Sequence, residues 1–169
     1  RFDDKPAQVR RVAEMSRHQA RRGPDASGLV VRGGVAFGHR RLKIIDLSEH
    51  GAQPMDDPYL GLTAVFNGCI YNYRDLRREL QGKGYRFFSH SDTEVILKAY
   101  DAWGECCVEH FNGMFAIVIH ERDTGRLFTW LSGTVSTWWE ARRLAREREA
   151  EVLAEEDARR IEAEARRAE

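Results

Sequence analysis

Apolar residues follow two spacings up to about residue 128 and become sparse beyond it. Val9, Val12, Ala13, Ser16 and Ala20 fall on one face of a helix, opened by Pro6, a residue tolerated in a first helical turn. Residues 28–32 and 35–47 read as strands, the second bent or broken near Arg40-Arg41. Leu62–Phe66 and Ile70–Tyr71 flank Asn67-Gly68, the dipeptide most typical of a two-residue hairpin turn, so a hairpin is predicted there. Residues 73–83 have helical spacing. A second helix is predicted to open at Ser91-Asp92-Thr93-Glu94, which has the form of a capping box, and to run through Val95, Ile96, Ala99 and Trp103. Residues 114–120 and 126–128 complete the pattern as a hairpin about Asp123-Thr124-Gly125. Helices and strands interleaved in this way predict a mixed α and β domain with one core. A body of this length buries roughly two thirds of its unfolded surface.

Composition changes the picture after residue 139. Between Glu140 and Glu169 stand ten acidic residues, eight arginines and eight alanines, and the only larger apolar residues are Leu144, Val152, Leu153 and Ile161. Pairs such as Glu155 with Arg159 and Glu162 with Arg166 sit at i,i+4 spacing, each worth about 0.2–0.5 kcal/mol. The segment therefore reads as an exposed charged helix, with partner binding as the other reading. The four apolar residues keep no heptad that would make it a coiled coil. The expected organisation is a domain over 1–128, a junction over 129–139 and a helical tail over 140–169. The 169 residues include 27 basic and 27 acidic side chains. That balance removes the electrostatic case for a nucleic-acid binder, which neutralises phosphates with a net-basic face. Three cysteines, Cys69, Cys106 and Cys107, form a poor disulfide framework and suit a reducing, cytoplasmic setting. No apolar run approaches the roughly 20 residues needed to cross a bilayer, so no membrane partner is expected.

Four stretches combine turn residues with fixed polar groups: Arg22-Gly23-Pro24-Asp25, residues 38–46 (Gly-His-Arg-Arg-Leu-Lys-Ile-Ile-Asp), residues 66–72 (Phe-Asn-Gly-Cys-Ile-Tyr-Asn) and Ser91-Asp92-Thr93-Glu94. Singly, each has a structural explanation as a turn, a surface charge, a hairpin tip or a helix cap. In this order and spacing, together with Phe111-Asn112-Gly113-Met114-Phe115-Ala116 and Glu121-Arg122-Asp123-Thr124-Gly125, they resemble the class II glutamine amidotransferase domain of the asparagine synthetase family. The resemblance covers residues 2–128, and its wording is most similar to N-acetylglutaminylglutamine amidotransferase.

That resemblance implies an α+β fold of the N-terminal-nucleophile hydrolase type, with four layers in the order αββα, here incomplete and followed by the charged helix. It implies L-glutamine as substrate, and a synthetase domain, which uses ATP and Mg in relatives, as the partner that receives the ammonia. It expects no cofactor and no metal in this chain. Asn67 and the Gly68 backbone N–H match the oxyanion donors, since charge developing on the amide oxygen needs preorganised donors. Arg41 matches the arginine that grips the α-carboxylate, where a guanidinium offers a planar fork. Asp92 matches the carboxylate facing the α-ammonium. Leu42, Lys43, Ile44 and Ile45 lie in the segment lining the pocket, and Cys69 stands where Glu is usual.

The family nucleophile is a cysteine at the mature amino terminus, whose own α-amino group assists proton transfer. This sequence begins Arg1-Phe2, beyond that strand, and Cys69, Cys106 and Cys107 read as packed or idle thiols. A nearly inert glutaminase is the expectation, with a non-catalytic glutamine-binding or interaction module as the alternative. Cys106-Cys107-x-x-His110 lacks the spacing of a zinc site. His39 is read as pocket wall or core.

Overall fold

A computed structural model describes residues 8–132 of the chain. The chain divides into two units, Arg1–Ser132 and Gly133–Glu169, and every described residue lies in the first. The expected Pro6 helix opening and the charged tail helix fall outside the described residues.

Helix α1 (Val9–His18) leads through a short turn of 3-10 helix at Ala20–Arg22 into the hairpin β1 (Ala26–Arg32) and β2 (Val35–Arg41), paired antiparallel from Ala26 with Arg41 to Arg32 with Val35. A second sheet holds β3 (Met55–Asp57), β4 (Leu62–Ile70), β5 (Gly113–Glu121) and β6 (Leu127–Leu131), antiparallel and in that order. Helices α2 (Tyr73–Gly82) and α3 (Asp92–Trp103) connect β4 to a 3-10 stretch, Gly104–His110, ahead of β5.

Strand periodicity sorts the side chains. Leu62, Ala64, Phe66 and Ile70 of β4 and Phe115, Ile117 and Ile119 of β5 fall on one face and pack with Leu76 and Leu80 of α2 and Val95, Ile96 and Ala99 of α3. The opposite face meets the β1–β2 hairpin. There Phe37 approaches His120 edge to face at 6.1 Å, and Arg32 pairs with Asp56 at 2.9 Å. Helix α1 covers the outer side of that hairpin, with Val12 so close to Gly38 that a Cβ there would lie 2.9 Å from its methyl. The layers therefore run helix, two-stranded sheet, four-stranded sheet, helix pair, the order that the family resemblance implies.

Three local expectations need correction. Asn67-Gly68 is not a hairpin tip: β4 runs straight through it, Asn67 opposite Ala116 and Gly68 opposite Phe115. Gly68 has φ +145°, and a Cβ on it would sit 2.1 Å from the Met114 carbonyl oxygen, so the glycine serves close strand approach rather than a turn. The second strand breaks at Arg41, where a bend or break was expected, but it does not resume toward Leu47, because the Arg41 side chain folds the next residues back over itself. At Ser91 the cap forms, its hydroxyl accepting from Thr93 N at 3.1 Å, but the reciprocal arm of a capping box does not. Glu94 turns instead to the preceding loop and accepts from Phe88 N (2.9 Å), Ser89 N (2.7 Å) and the Ser89 hydroxyl (2.6 Å). The Asp123-Thr124-Gly125 hairpin forms as expected, closed by Gly125 N donating to the Glu121 carbonyl at 2.9 Å.

Every residue of α3 from Asp92 to Tyr100 is buried, which places charged groups inside and obliges them to find partners. Lys98 does so through an ion pair with Asp57, whose side chain is 1 % exposed. Removing one member leaves the other buried and uncompensated, so Lys98→Met is expected to destabilise the domain by about 3–5 kcal/mol in urea unfolding. A loss below about 1 kcal/mol would show that water reaches the pair.

Candidate functional site

Arg41 ends β2 and is 5 % exposed. Its guanidinium donates to the carbonyls of Ser48 (3.0 Å), Ile45 (3.1 Å) and Asp46, wrapping residues 45–48 around itself. Gly51 makes the room: a Cβ there would lie 2.3 Å from Nη2 of Arg41. The Arg22-Gly23-Pro24-Asp25 turn supports the same segment from behind. Arg40 Nε donates to the Gly23 carbonyl at 3.1 Å, and Lys43 N donates to the Asp25 carboxylate at 2.8 Å. Leu42, Lys43, Ile44 and Ile45 are half-buried along this loop, and Lys43 pairs with Glu49.

Asp46, which no sequence signal singled out as a site residue, ties this loop to the next. It has φ +54°, a left-handed conformation that is unusual for a residue with a Cβ. Its carboxylate accepts from Ser48 N (3.0 Å), the Ser48 hydroxyl and His90 N (2.8 Å). Burial pushes its pKa up, but the bonds from Ser48 and His90 and the charge of Arg41 outweigh burial and hold it below the ordinary range. A chain of bonds thus runs from the Arg41 guanidinium through Asp46 to the loop that enters α3.

Asp92 is the first residue of α3, and its carboxylate accepts from Ile70 N, at the end of β4, at 3.3 Å. Burial raises its pKa to about 6, against the hydrogen bonds from Ile70, its own N–H, Thr93 and Ser91. Gln53 supplies a second link between the same two elements, accepting from Phe66 N at 2.7 Å and donating to the Thr93 hydroxyl at 3.2 Å. Phe66 and Ile70 both direct their N–H groups away from β5. That direction repeats every second residue in an antiparallel pair, so Gly68, midway between them, turns its N–H to the same edge. Asn67 is exposed beside it, and Cys69 is half-buried. Hydrogen bonds therefore tie the 41–46 loop to the approach of α3 at His90, and the start of α3 to the end of β4 at Ile70.

Other predicted groups lie elsewhere. Cys107 is buried behind α3, where burial, and then its neighbour Cys106, push its thiol up to about 12, so no thiolate forms there at neutral pH. His110 stacks on Trp103 with ring centroids 4.0 Å apart. A surface cleft of about 510 Å³ is lined by Leu60, Tyr100, Asp101, Glu121 and Arg126 among others, and by none of the predicted site residues.

The raised pKa of Asp92 makes a stability prediction. Folding lifts it above the unfolded value near 3.8, so its stabilising contribution is complete below that pH and is lost as pH rises through about 6. Unfolding free energies of the parent minus those of Asp92→Asn should fall by up to about 3 kcal/mol between pH 4 and 7. A flat difference would place the carboxylate in water.

Comparison with known proteins identifies the family. The family model described as glutamine amidotransferase domain matches residues 1–130. Glutamine-hydrolyzing asparagine synthetase 3 of Bacillus subtilis is 44 % identical over 111 residues, which is 64 % of this chain and 18 % of that protein. Glutamine-hydrolyzing asparagine synthetase 1 of the same organism is 41 % identical over 117 residues, covering 69 % and 18 %, and the Asparagus officinalis enzyme is 42 % identical, covering 69 % and 19 %. The chain thus spans less than a fifth of the length of these relatives. Among solved structures, the glutamine phosphoribosylpyrophosphate amidotransferase of B. subtilis is 23 % identical with a TM-score of 0.45, over 54 % of this chain and 22 % of that one, a likeness too loose to carry weight. On the family match over residues 1–130, and with asparagine synthetases as its relatives, this chain belongs to the glutamine amidotransferase domain family, in the class II type of the asparagine synthetases.

Proposed function

We propose that this domain binds free L-glutamine at the end of β4 and serves the hydrolysis of its side-chain amide, releasing ammonia to a synthetase domain of the longer protein. The observation that supports the reading is the Asp92 carboxylate bound to Ile70 N, with the Gly68 N–H turned away from β5 and the Arg41 loop bonded through Asp46 to His90 before α3. A zwitterion needs an anion and a cation at fixed separation, and in this reading Asp92 and Arg41 fill those parts with Gly68 N–H as the backbone donor.

In this reading the α-ammonium meets Asp92, ionised above about pH 6. The α-carboxylate meets the Arg41 guanidinium in exchange for loop carbonyls, so binding loosens residues 45–48. The amide oxygen points at the Asn67 side chain and Gly68 N–H, placed to stabilise it as it becomes an oxyanion. The resemblance assigns the attack to an amino-terminal cysteine, giving a thioester and ammonia. Cys69, Cys106 and Cys107 sit inside the chain without an α-amino group and take no part in that step. ATP and Mg belong to the synthetase reaction, not to this site. Cys69, standing where Glu is usual, leaves Asp92 as the principal anion for the ammonium and supports the finer likeness to N-acetylglutaminylglutamine amidotransferase.

Isothermal calorimetry tests the reading. Glutamine is expected to bind the parent chain, and Asp92→Asn is expected to weaken it about 10- to 100-fold, the worth of a charged hydrogen bond of about 1.5–3 kcal/mol. N-acetylglutamine, which has no ammonium, should bind parent and variant alike. Equal loss for both ligands would mean that Asp92 does not face the amine, and ammonia release then separates hydrolysis from binding alone.

A further inference from the structure

β3 begins only at Met55, opposite Ala64, so the next outward-facing peptide of β4, at Phe66, has no β3 residue to pair with. Two side chains take the place of that strand. The Gln53 side-chain oxygen accepts from Phe66 N at 2.7 Å, and Nε2 of His39 bonds to the Phe66 carbonyl at 3.2 Å. The Gln53 backbone is turned the other way, its carbonyl so close to β1 that a Cβ on Gly28 would lie 2.1 Å from it. Its amide continues to the Thr93 hydroxyl, so one side chain joins the oxyanion strand to the first turn of α3. The His39 ring is held below its ordinary pKa. Burial lowers its pKa, the Phe66 bond opposes this, and the charge of Arg41 adds to the lowering. Among the described residues its Nδ1 is buried with no hydrogen-bond partner, so the Phe66 carbonyl is the bond that the ring makes there.

We propose that Gln53 and His39 are positioning residues that fix both sides of the Phe66 peptide and thereby set the direction of the next donors, the Asn67 side chain and the Gly68 N–H, toward the substrate amide. This rests on the glutamine-hydrolysing reading of the same edge. Neither residue touches substrate; each acts through the backbone of β4. Sub-ångström placement matters here because an oxyanion donor acts only within hydrogen-bond reach of one point, and a displacement of about 1 Å can cost on the order of 10²-fold in rate.

The test is a glutamine titration of the full chain labelled with 15N, for the parent, Gln53→Ala, His39→Ala and the conservative Gln53→Glu and His39→Gln. In the parent, glutamine should shift the Gly68 amide and the Asn67 side-chain resonances. In the alanine variants those shifts should fall below about half while affinity stays within about threefold, because the groups that grip the zwitterion are untouched. Gln53→Glu keeps the acceptor and His39→Gln keeps a donor, so both should restore most of the response. Alanine variants with the parent response at 67 and 68, or losing affinity and response together without rescue, would overturn the proposal. A parent chain that binds no glutamine overturns the functional reading instead. The clamp is then decided in the ligand-free spectra, where displacement of the Phe66, Asn67 and Gly68 signals with α3 unmoved supports it, and unmoved signals at 67 and 68 overturn it.

Discussion

The bond from the Ile70 N–H to the Asp92 carboxylate is the junction on which the candidate site depends, since it joins the last residue of β4 to the first of α3 inside the protein. Two opposing effects meet there. Removal from water disfavours the charged carboxylate, whereas its place in the first helical turn and the N–H groups around it favour the charge. Burial prevails in part, and the group remains ionised at neutral pH with little to spare. Among the described residues no cation pairs with this acid, so in the proposed reading an incoming ammonium supplies the countercharge.

Around that junction the fold uses side chains where backbone pairing runs out. Gln53 and His39 stand in for a missing strand at Phe66, Glu94 gathers the amides of the loop before α3, and Asn72 accepts from Asn112 N and donates to the His110 carbonyl to fasten the entry to β5. Each satisfies backbone groups of a loop or strand edge; where such a group is buried, as at Ser89 N, leaving it unpaired would cost about 1–3 kcal/mol.

The mixed α and β elements were legible because apolar periodicity reports burial, and α2, α3 and β5 fall where their patterns put them; the layer order came from the family resemblance alone, and β6 runs on to Leu131 instead of stopping at Phe128. Asn67-Gly68 was misread because the same dipeptide suits a tight turn and a glycine crowded by a neighbouring strand. Only the partner Met114, distant in sequence, separates the two. Arg41 was recognisable as a candidate by resemblance, but not its engagement with three carbonyls, which depends on how the next seven residues fold. Asp46 and Gln53 carried no signal of their own. An acid after an apolar run and a glutamine before a proline are ordinary, and their roles come from long-range bonds to His90, Phe66 and Thr93.

The central claim is that Arg41, Asp92 and the 67–68 backbone act on one bound amino acid. A crystal structure of the chain with L-glutamine tests it most directly. The account predicts the α-carboxylate on the Arg41 guanidinium, the ammonium on Asp92, and the side-chain amide oxygen about 2.7–3.2 Å from the Asn67 side-chain nitrogen and Gly68 N. Glutamine bound elsewhere, with Arg41 still holding the carbonyls of Ile45, Asp46 and Ser48, would contradict it.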